Sequence, residues 1–379
     1  MYDLIVVGGN LAGASAAIKA SEKGLKVALV EKNKQPFDPA HCGEMLFDVE
    51  AESFNLDKIG CKKNEINKLI IKIPPKNYIF KFKKHRILIF DRNFVEKKLI
   101  ETAEKKGTDL FIGNKMTDYK TPYEIVLEKN ETIKGKVIID ATGILCQIGK
   151  RIGINTKLDN RDIGVCIQGR VKGNFDENSI NIWFHKPYAP FGYAYLFPLN
   201  KNIANIGLGI PGGQKYDYHN ILIDYVKNVT NNNYEITSSF MSYVPLAPPI
   251  DQLVKDNVLI TGDAARLAHS ISGGGIKNAI FSGSLAGIIS ARYLLGEISS
   301  LKPYQDLLKS KVTKLRNEYN FRRKTIKNDD SYLTKYRVVI FFSYIINRAF
   351  SSIFDKTISN LSKNEKFILK SLGESNRIL

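Results

Sequence analysis

VVGGNLAG, residues Val6–Gly13, decides how this chain is read. Leu4 to Val7 is a short apolar run that stops at glycine, the pattern of a buried parallel strand. Ala12 to Lys23 follows with Ala14, Ala16, Ala17, Ile18 and Ala20, small enough for a helix to lie close on a sheet. Gly24 closes that helix. Val27 to Val30 is a second apolar strand, and Glu31 ends it. Strand, glycine turn, helix and strand make one βαβ unit of the kind that grips a dinucleotide. In the G-x-G-x-x-G fingerprint the outer glycines are Gly8 and Gly13, and Asn10 stands where the middle glycine belongs. Asn tolerates positive φ better than other non-glycine residues. The expectation is therefore a positive-φ Asn10 whose amide turns aside or donates to a phosphate oxygen. Gly9 and Ala12 complete the turn, and the helix N-terminus behind it favours an anion.

Glu31, followed by Lys32, sits where a carboxylate accepts hydrogen bonds from a ribose diol and repels a 2′-phosphate. That favours FAD or NAD over NADP. Further along, FDRNFVEKKL places Arg92 at a helix start, and IIDATG puts Gly143 just past a strand. VLITGDAARLAHSISGGGIKNAIFSGSLAG puts Asp263 after a strand and Gly273, Gly274 and Gly275 before a helix that begins near Ile276. An open glycine loop at a helix start is a second place for a pyrophosphate or a flavin ring. Two such turns, far apart in sequence, fit one long cofactor, FAD, better than two mononucleotides.

The 379 residues imply two or three packed units, and a hydrophobic fraction of 44% with 28 glycines suits an α/β globular chain. The fold expected is α/β: a discontinuous Rossmann-like FAD-binding domain, an inserted antiparallel β-sheet domain for substrate, and a helical C-terminal region. The FAD domain is read over 1–65, 90–155 and 255–300, the sheet domain over 66–89 and 156–254, and the basic helical region over 301–379. Residues 301–379 hold 17 Lys+Arg against 7 Asp+Glu, a net of +10 out of +18 for the chain. Within them, 336–354 (YRVVIFFSYIINRAFSSIF) reads equally as a core helix with a solvated basic face or as a membrane-surface helix.

The four cysteines, Cys42, Cys61, Cys146 and Cys166, form no C-x-x-C pair, so no metal site is expected. The chain enters a strand at once, without a signal-peptide pattern, and has no spanning apolar run. A cytoplasmic protein, peripheral on the inner face of the cell membrane, is the expectation. The basic surface suits an anionic membrane or an acidic electron carrier. Nucleic acid explains it less well, since no recognised motif accompanies the charge.

The combination VVGGNLAGASAA, Glu31, HCGEML (41–46), DRNFVEKKL, DATG, GYAYLFP (192–198), ITGDAA and SISGGGIKNAIFSG resembles the FAD-dependent geranylgeranyl reductase family, within the p-hydroxybenzoate hydroxylase-like flavoproteins. It covers roughly residues 1 to 300. Two positions depart from the family pattern: Asn10, and Tyr195 where the family usually has tryptophan. The resemblance implies a reductase of isoprenoid double bonds in archaeal-type membrane lipids or related isoprenoids. It implies that Gly8, Gly9, Asn10, Ala12, Gly13, Glu31, Lys32, Arg92, Asp263, Gly274, Gly275 and Ile276 hold FAD. Cys42 and Gly43 would lie beside the isoalloxazine, with Cys42 the candidate proton donor. Tyr193, Tyr195, Phe197, Pro198 and His269 would line the substrate pocket. Cys61, Cys146 and Cys166 are read as structural. No second Rossmann fingerprint is present, so the electron donor is either NAD(P)H bound without one or an acidic ferredoxin-like protein. A flavin monooxygenase or halogenase, and a degenerate lipid-binding flavoprotein, are the alternatives.

Overall fold

The computed structural model describes residues 1–35, 42–120, 123–326, 331–349, 351–374 and 378. In chain order the elements begin with β1 (Tyr2–Val7), α1 (Leu11–Ser21), β2 (Val27–Glu31), β3 (Met45–Phe47), α2 (Asp48–Ser53) and β4 (Lys62–Ile66). They continue with β5 (Lys68–Ile73), β6 (Lys76–Lys81), β7 (Ile87–Phe90), α3 (Arg92–Lys105), β8 (Asp109–Ile112), β9 (Met116–Lys120), β10 (Glu124–Leu127) and β11 (Thr132–Asp140). Next come α4 (Gln147–Arg151), β12 (Ile163–Lys172), β13 (Ser179–Trp183), β14 (Tyr193–Asn200), β15 (Ile203–Pro211), α5 (Tyr218–Thr230) and β16 (Glu235–Pro245). The chain closes with β17 (Val254–Lys255), β18 (Val258–Ile260), α6 (Ile276–Leu294), α7 (Lys302–Thr325), α8 (Ser331–Ala349), α9 (Ser351–Ser359) and α10 (Lys363–Ser371).

The first sheet runs β17-β18-β11-β1-β2-β8, with β1, β2, β8, β11 and β18 parallel. Strands β1 and β2 are apolar and buried on both faces, as a parallel sheet covered by helices requires. The chain leaves β1 toward β2 on one side and returns much later as β11 on the other. That reversal opens a crevice at the carboxyl ends of β1 and β11, the usual place for a ligand in such sheets. Helices α1 and α6 cover one face. They approach closely because α6 carries Gly283 and Gly287, where a Cβ would stand 2.0 and 2.3 Å from the carbonyls of Ala12 and Ala16.

The second sheet, β16-β12-β15-β14-β13-β5-β6, is antiparallel except for the β13–β5 pair. The turn Pro74–Pro75 separates β5 from β6, as the Pro-Pro break in the sequence leads one to expect. A three-stranded sheet, β3-β7-β4, packs against β14 of the second sheet and was not separable in the sequence. The C-terminal helices are not an appendage. Tyr304, Leu308, Leu315, Ile368 and Leu369 join the core under the first sheet, whereas Tyr332, Tyr336 and Ile358 join the core beneath the second.

Candidate functional site

The β1–α1 turn closes without space for side chains. A Cβ on Gly8, whose φ is 111°, would lie 2.2 Å from the Ala141 carbonyl, and one on Gly13 would lie 1.8 Å from the Gly8 carbonyl. Asn10 corrects the sequence expectation. It is extended, with φ −83° and ψ −174°, and it is the N-cap of α1. Its Oδ1 accepts from the amides of Ala12 (3.0 Å) and Gly13 (3.3 Å), and its Nδ2 donates to the Ala141 carbonyl (2.7 Å). Asn replaces glycine here through capping chemistry, not through positive φ. The amide does turn aside, and it ties the turn to the loop after β11. We expect Asn10→Gly to retain flavin and to lower stability by a few tenths of a kcal/mol, while Asn10→Ala costs about 1 kcal/mol. Urea melts of the three proteins check this; a colourless Asn10→Ala protein would show that the side chain acts on the cofactor itself.

Glu31 is buried at the end of β2. Its Oε2 accepts from the Gly9 amide and its Oε1 from the Asn33 amide, both at 2.8 Å. A carboxylate has about four lone-pair directions, so acceptor capacity remains for a ribose diol. Lys32, just beyond, is exposed. Asp140, in the DATG motif, accepts from Thr142, Ile148 and Gly149 and so shapes the loop against which the turn rests.

Three distant segments meet at the other end of the crevice. Arg92 opens α3, and its guanidinium is held by Glu96 at 2.8 and 2.9 Å with the Cys42 thiol beside it. Asp263 follows β18, and a Cβ on Gly275 would stand 3.3 Å from its Oδ1. Burial pushes the Asp263 carboxyl up, and Arg92 draws it back down. Gly274, Gly275 and Ile276 form the start of α6, whose N-terminus has no side-chain cap, leaving its amides for an anion. The glycine turn, the acidic strand end and this open helix start fit the adenosine, pyrophosphate and flavin parts of FAD.

Glu44 belongs to the HCGEML motif but was given no site role in the sequence. Its carboxylate is buried and accepts from the Arg92 amide (3.1 Å), Arg170 Nη2 (2.8 Å) and Asn205 Nδ2 (2.8 Å), while its backbone is left-handed (φ 64°). It fastens the loop carrying Cys42 and Gly43 to α3, β12 and β15. Gly43 is needed there because a Cβ would reach within 2.9 Å of the Phe197 ring. His41 of the HCGEML motif lies outside the described residues.

Strand β14 supplies the aromatic wall. Tyr195 stacks on Phe197 at 4.6 Å and donates its hydroxyl to Gln168 Oε1 at 2.6 Å. Tyr193 donates to the Ser272 carbonyl in the glycine loop. Tyr193 and Tyr195 face a small cavity of about 60 Å³, partly open to solvent, with Cys166, Phe184, Gly273, Arg322 and Tyr336 among its other walls. Phe197 and Pro198 are buried farther along the strand, behind that lining. His269 is not in the lining either: its Nδ1 meets Glu318 of α7 at 2.7 Å. Cys166, read as structural, is instead part of the cavity wall, because its position in β12 faces inward beside Gly209.

Burial raises all four thiols, Cys61 to about 11 and Cys166 to about 12; for Cys42, Arg92 opposes part of the rise. The thiols therefore stay protonated at neutral pH. We expect iodoacetamide at mildly alkaline pH to label none of the four quickly in the native protein and all four in urea. Fast labelling of Cys42 alone would mark it as a thiolate.

Comparison with known proteins agrees with this geometry. Residues 3–36 match the family model for FAD dependent oxidoreductases, and residues 162–243 match the model for the geranylgeranyl reductase catalytic domain. The chain is an FAD-dependent oxidoreductase. Its resemblance to the geranylgeranyl reductases extends over most of its length. It is 29% identical to digeranylgeranylglycerophospholipid reductase 1 of Methanococcoides burtonii over 80% of this chain and 78% of that one. A geranylgeranyl bacteriochlorophyll reductase-like protein of Thermoplasma acidophilum shares the fold with a TM-score of 0.77 at 23% identity, covering 98% of this chain and 99% of that one. A flavin-dependent brominase shares it more distantly, with a TM-score of 0.68 at 16% identity, covering 98% of each chain.

Proposed function

We propose that this protein hydrogenates the carbon–carbon double bonds of geranylgeranyl-type chains on membrane lipids. The observation that supports this most is the aromatic cavity of β14, which meets the glycine loop before α6. An isolated alkene is unpolarised, and no side chain makes it strongly electrophilic. The hydride is the contribution of reduced FAD when it is bound. The residues of this chain orient and shield. Tyr193 and Tyr195 give their hydroxyls to Ser272 and Gln168, so they present ring faces, not polar edges, to an apolar chain. The apolar walls keep water away from the reacting carbons. Cys42, protonated and next to Arg92, is the side chain that holds the proton for the second alkene carbon.

Gly8, Gly9, Asn10, Ala12, Gly13, Glu31 and Lys32 form the proposed adenosine end of the cofactor site. Cys42, Gly43, Arg92, Asp263, Gly274, Gly275 and Ile276 form the flavin end. Electrons come from NAD(P)H or from an acidic ferredoxin-like protein, and the basic C-terminal region faces an anionic membrane on its inner side. No helix among the described residues is long and apolar enough to cross a membrane. The test is mass spectrometry of a geranylgeranyl glycerolipid incubated with dithionite-reduced holoenzyme. Mass gains in steps of two hydrogens are expected. An unchanged lipid mass with flavin fully bound and reduced overturns the proposal.

A further inference from the structure

Helix α8 is apolar on two opposite sides. Tyr332, Tyr336, Ile340 and Tyr344, at four-residue spacing, face the second sheet. Tyr344 meets Tyr78 and Phe80 at 5.7 and 5.9 Å, and Tyr336 meets Phe184 at 5.3 Å. The other stripe is Val338, Val339, Phe341, Phe342 and Ile345, each more than 40% exposed, with Phe342 at 62%. Helical geometry puts Val338, Phe342 and Ile345 on the side away from the first stripe, with Phe341 and Val339 on its flanks. Five apolar side chains thus stay in solvent on a helix whose other side is packed, next to the exposed Thr334 and Lys335.

Its surroundings are basic. Residues 301–379 have a net charge of +10, and residues 66–90 carry six lysines and one arginine with no acidic residue. Lys76, Lys81, Lys83 and Lys84 of that hairpin region are exposed, and Arg337 of α8 donates to the Pro74 carbonyl at its turn (2.7 Å). Such charge repels an identical copy of this chain and attracts anionic headgroups. We infer that the outer face of α8 docks on an anionic lipid bilayer, Phe341 and Phe342 entering the acyl boundary while the surrounding lysines and arginines meet phosphates. The inference deepens the proposed function and rests on its lipid substrate. Tyr336, on the inner stripe of the same helix, walls the cavity together with Arg322 and Ile326 of the α7 end, so docking sets that cavity beside the bilayer.

The test is flotation of the holoenzyme with vesicles of phosphatidylcholine alone or mixed with phosphatidylglycerol. Wild type is expected to float with the mixed vesicles at low salt and about ten-fold less with phosphatidylcholine alone or at high salt. The double variant Val338→Ser/Phe342→Ser, at exposed positions, is expected to keep its flavin and lose flotation about ten-fold. Flotation of the double variant equal to wild type, or no flotation of wild type, overturns the inference. So does a wild-type dimer in sedimentation that the double variant abolishes, since a second copy would then own the face. Reduction of detergent-dispersed geranylgeranyl lipid is measured alongside. Its absence with flotation intact refutes the reaction and leaves the docking face standing; its presence without flotation does the reverse.

Discussion

Gly13→Val yields a protein that no longer holds FAD. The added Cβ would start 1.8 Å from the Gly8 carbonyl and 3.2 Å from the Ala141 side chain, and no rotamer relieves a clash made by Cβ itself. Helix α1 must move away from the turn, taking with it the N-terminus that the pyrophosphate needs. A fall in FAD affinity of about 100-fold, or about 2.8 kcal/mol, is expected. Titration of apoprotein with FAD measures it, and far-UV circular dichroism reports whether the fold survives. Wild-type affinity in the valine variant would mean that the cofactor does not lie on this turn.

Glu44→Ala has the second large effect, and on a different property. It leaves the Arg92 amide, the Arg170 guanidinium and the Asn205 amide group without their shared acceptor. Arg170 is about a third exposed and regains some water, so the loss is expected to come mainly from the two unpaired amides and to total about 2 kcal/mol. The left-handed backbone at Glu44 then loses its restraint, and the Cys42–Gly43 loop loses its register against Tyr195 and Phe197. Urea denaturation is expected to show the full loss for Glu44→Ala and a much smaller one for Glu44→Gln, which keeps one acceptor oxygen. If the two variants are equally stable, the carboxylate does not organise the loop.

The sequence makes the nucleotide end of the site legible because that chemistry is local. Gly8, Gly13 and Glu31 belong to one βαβ unit, and the spacing of glycines and of the strand end carries the geometry. Asn10 was legible as a departure, but its role was not: whether an Asn takes positive φ or caps a helix depends on the Ala141 carbonyl, which arrives from the far side of the sheet. Glu44 stands in the HCGEML motif, but its role was hidden for the same reason. Its partners come from residues 92, 170 and 205, and nothing in HCGEML announces them. Cys166 and His269 turn on side-chain direction. One faces the cavity from β12, and the other is drawn to Glu318 on α7, a contact that no local pattern encodes. The two sides of α8 were half legible. For 336–354 the sequence left open a core helix with a solvated basic face or a membrane-surface helix; within residues 336–345, Tyr336, Ile340 and Tyr344 pack on the second sheet while the exposed stripe is apolar, not basic.

In the function proposed above, the cavity beside β14 brings an alkene to reduced flavin. That step is tested most directly by mixing anaerobic, fully reduced holoenzyme with a geranylgeranyl glycerolipid and following the oxidised-flavin absorption band. The band is expected to return without oxygen, in proportion to the double bonds lost from the lipid. A flavin that stays reduced with the lipid present, and reoxidises only when oxygen is admitted, would contradict it.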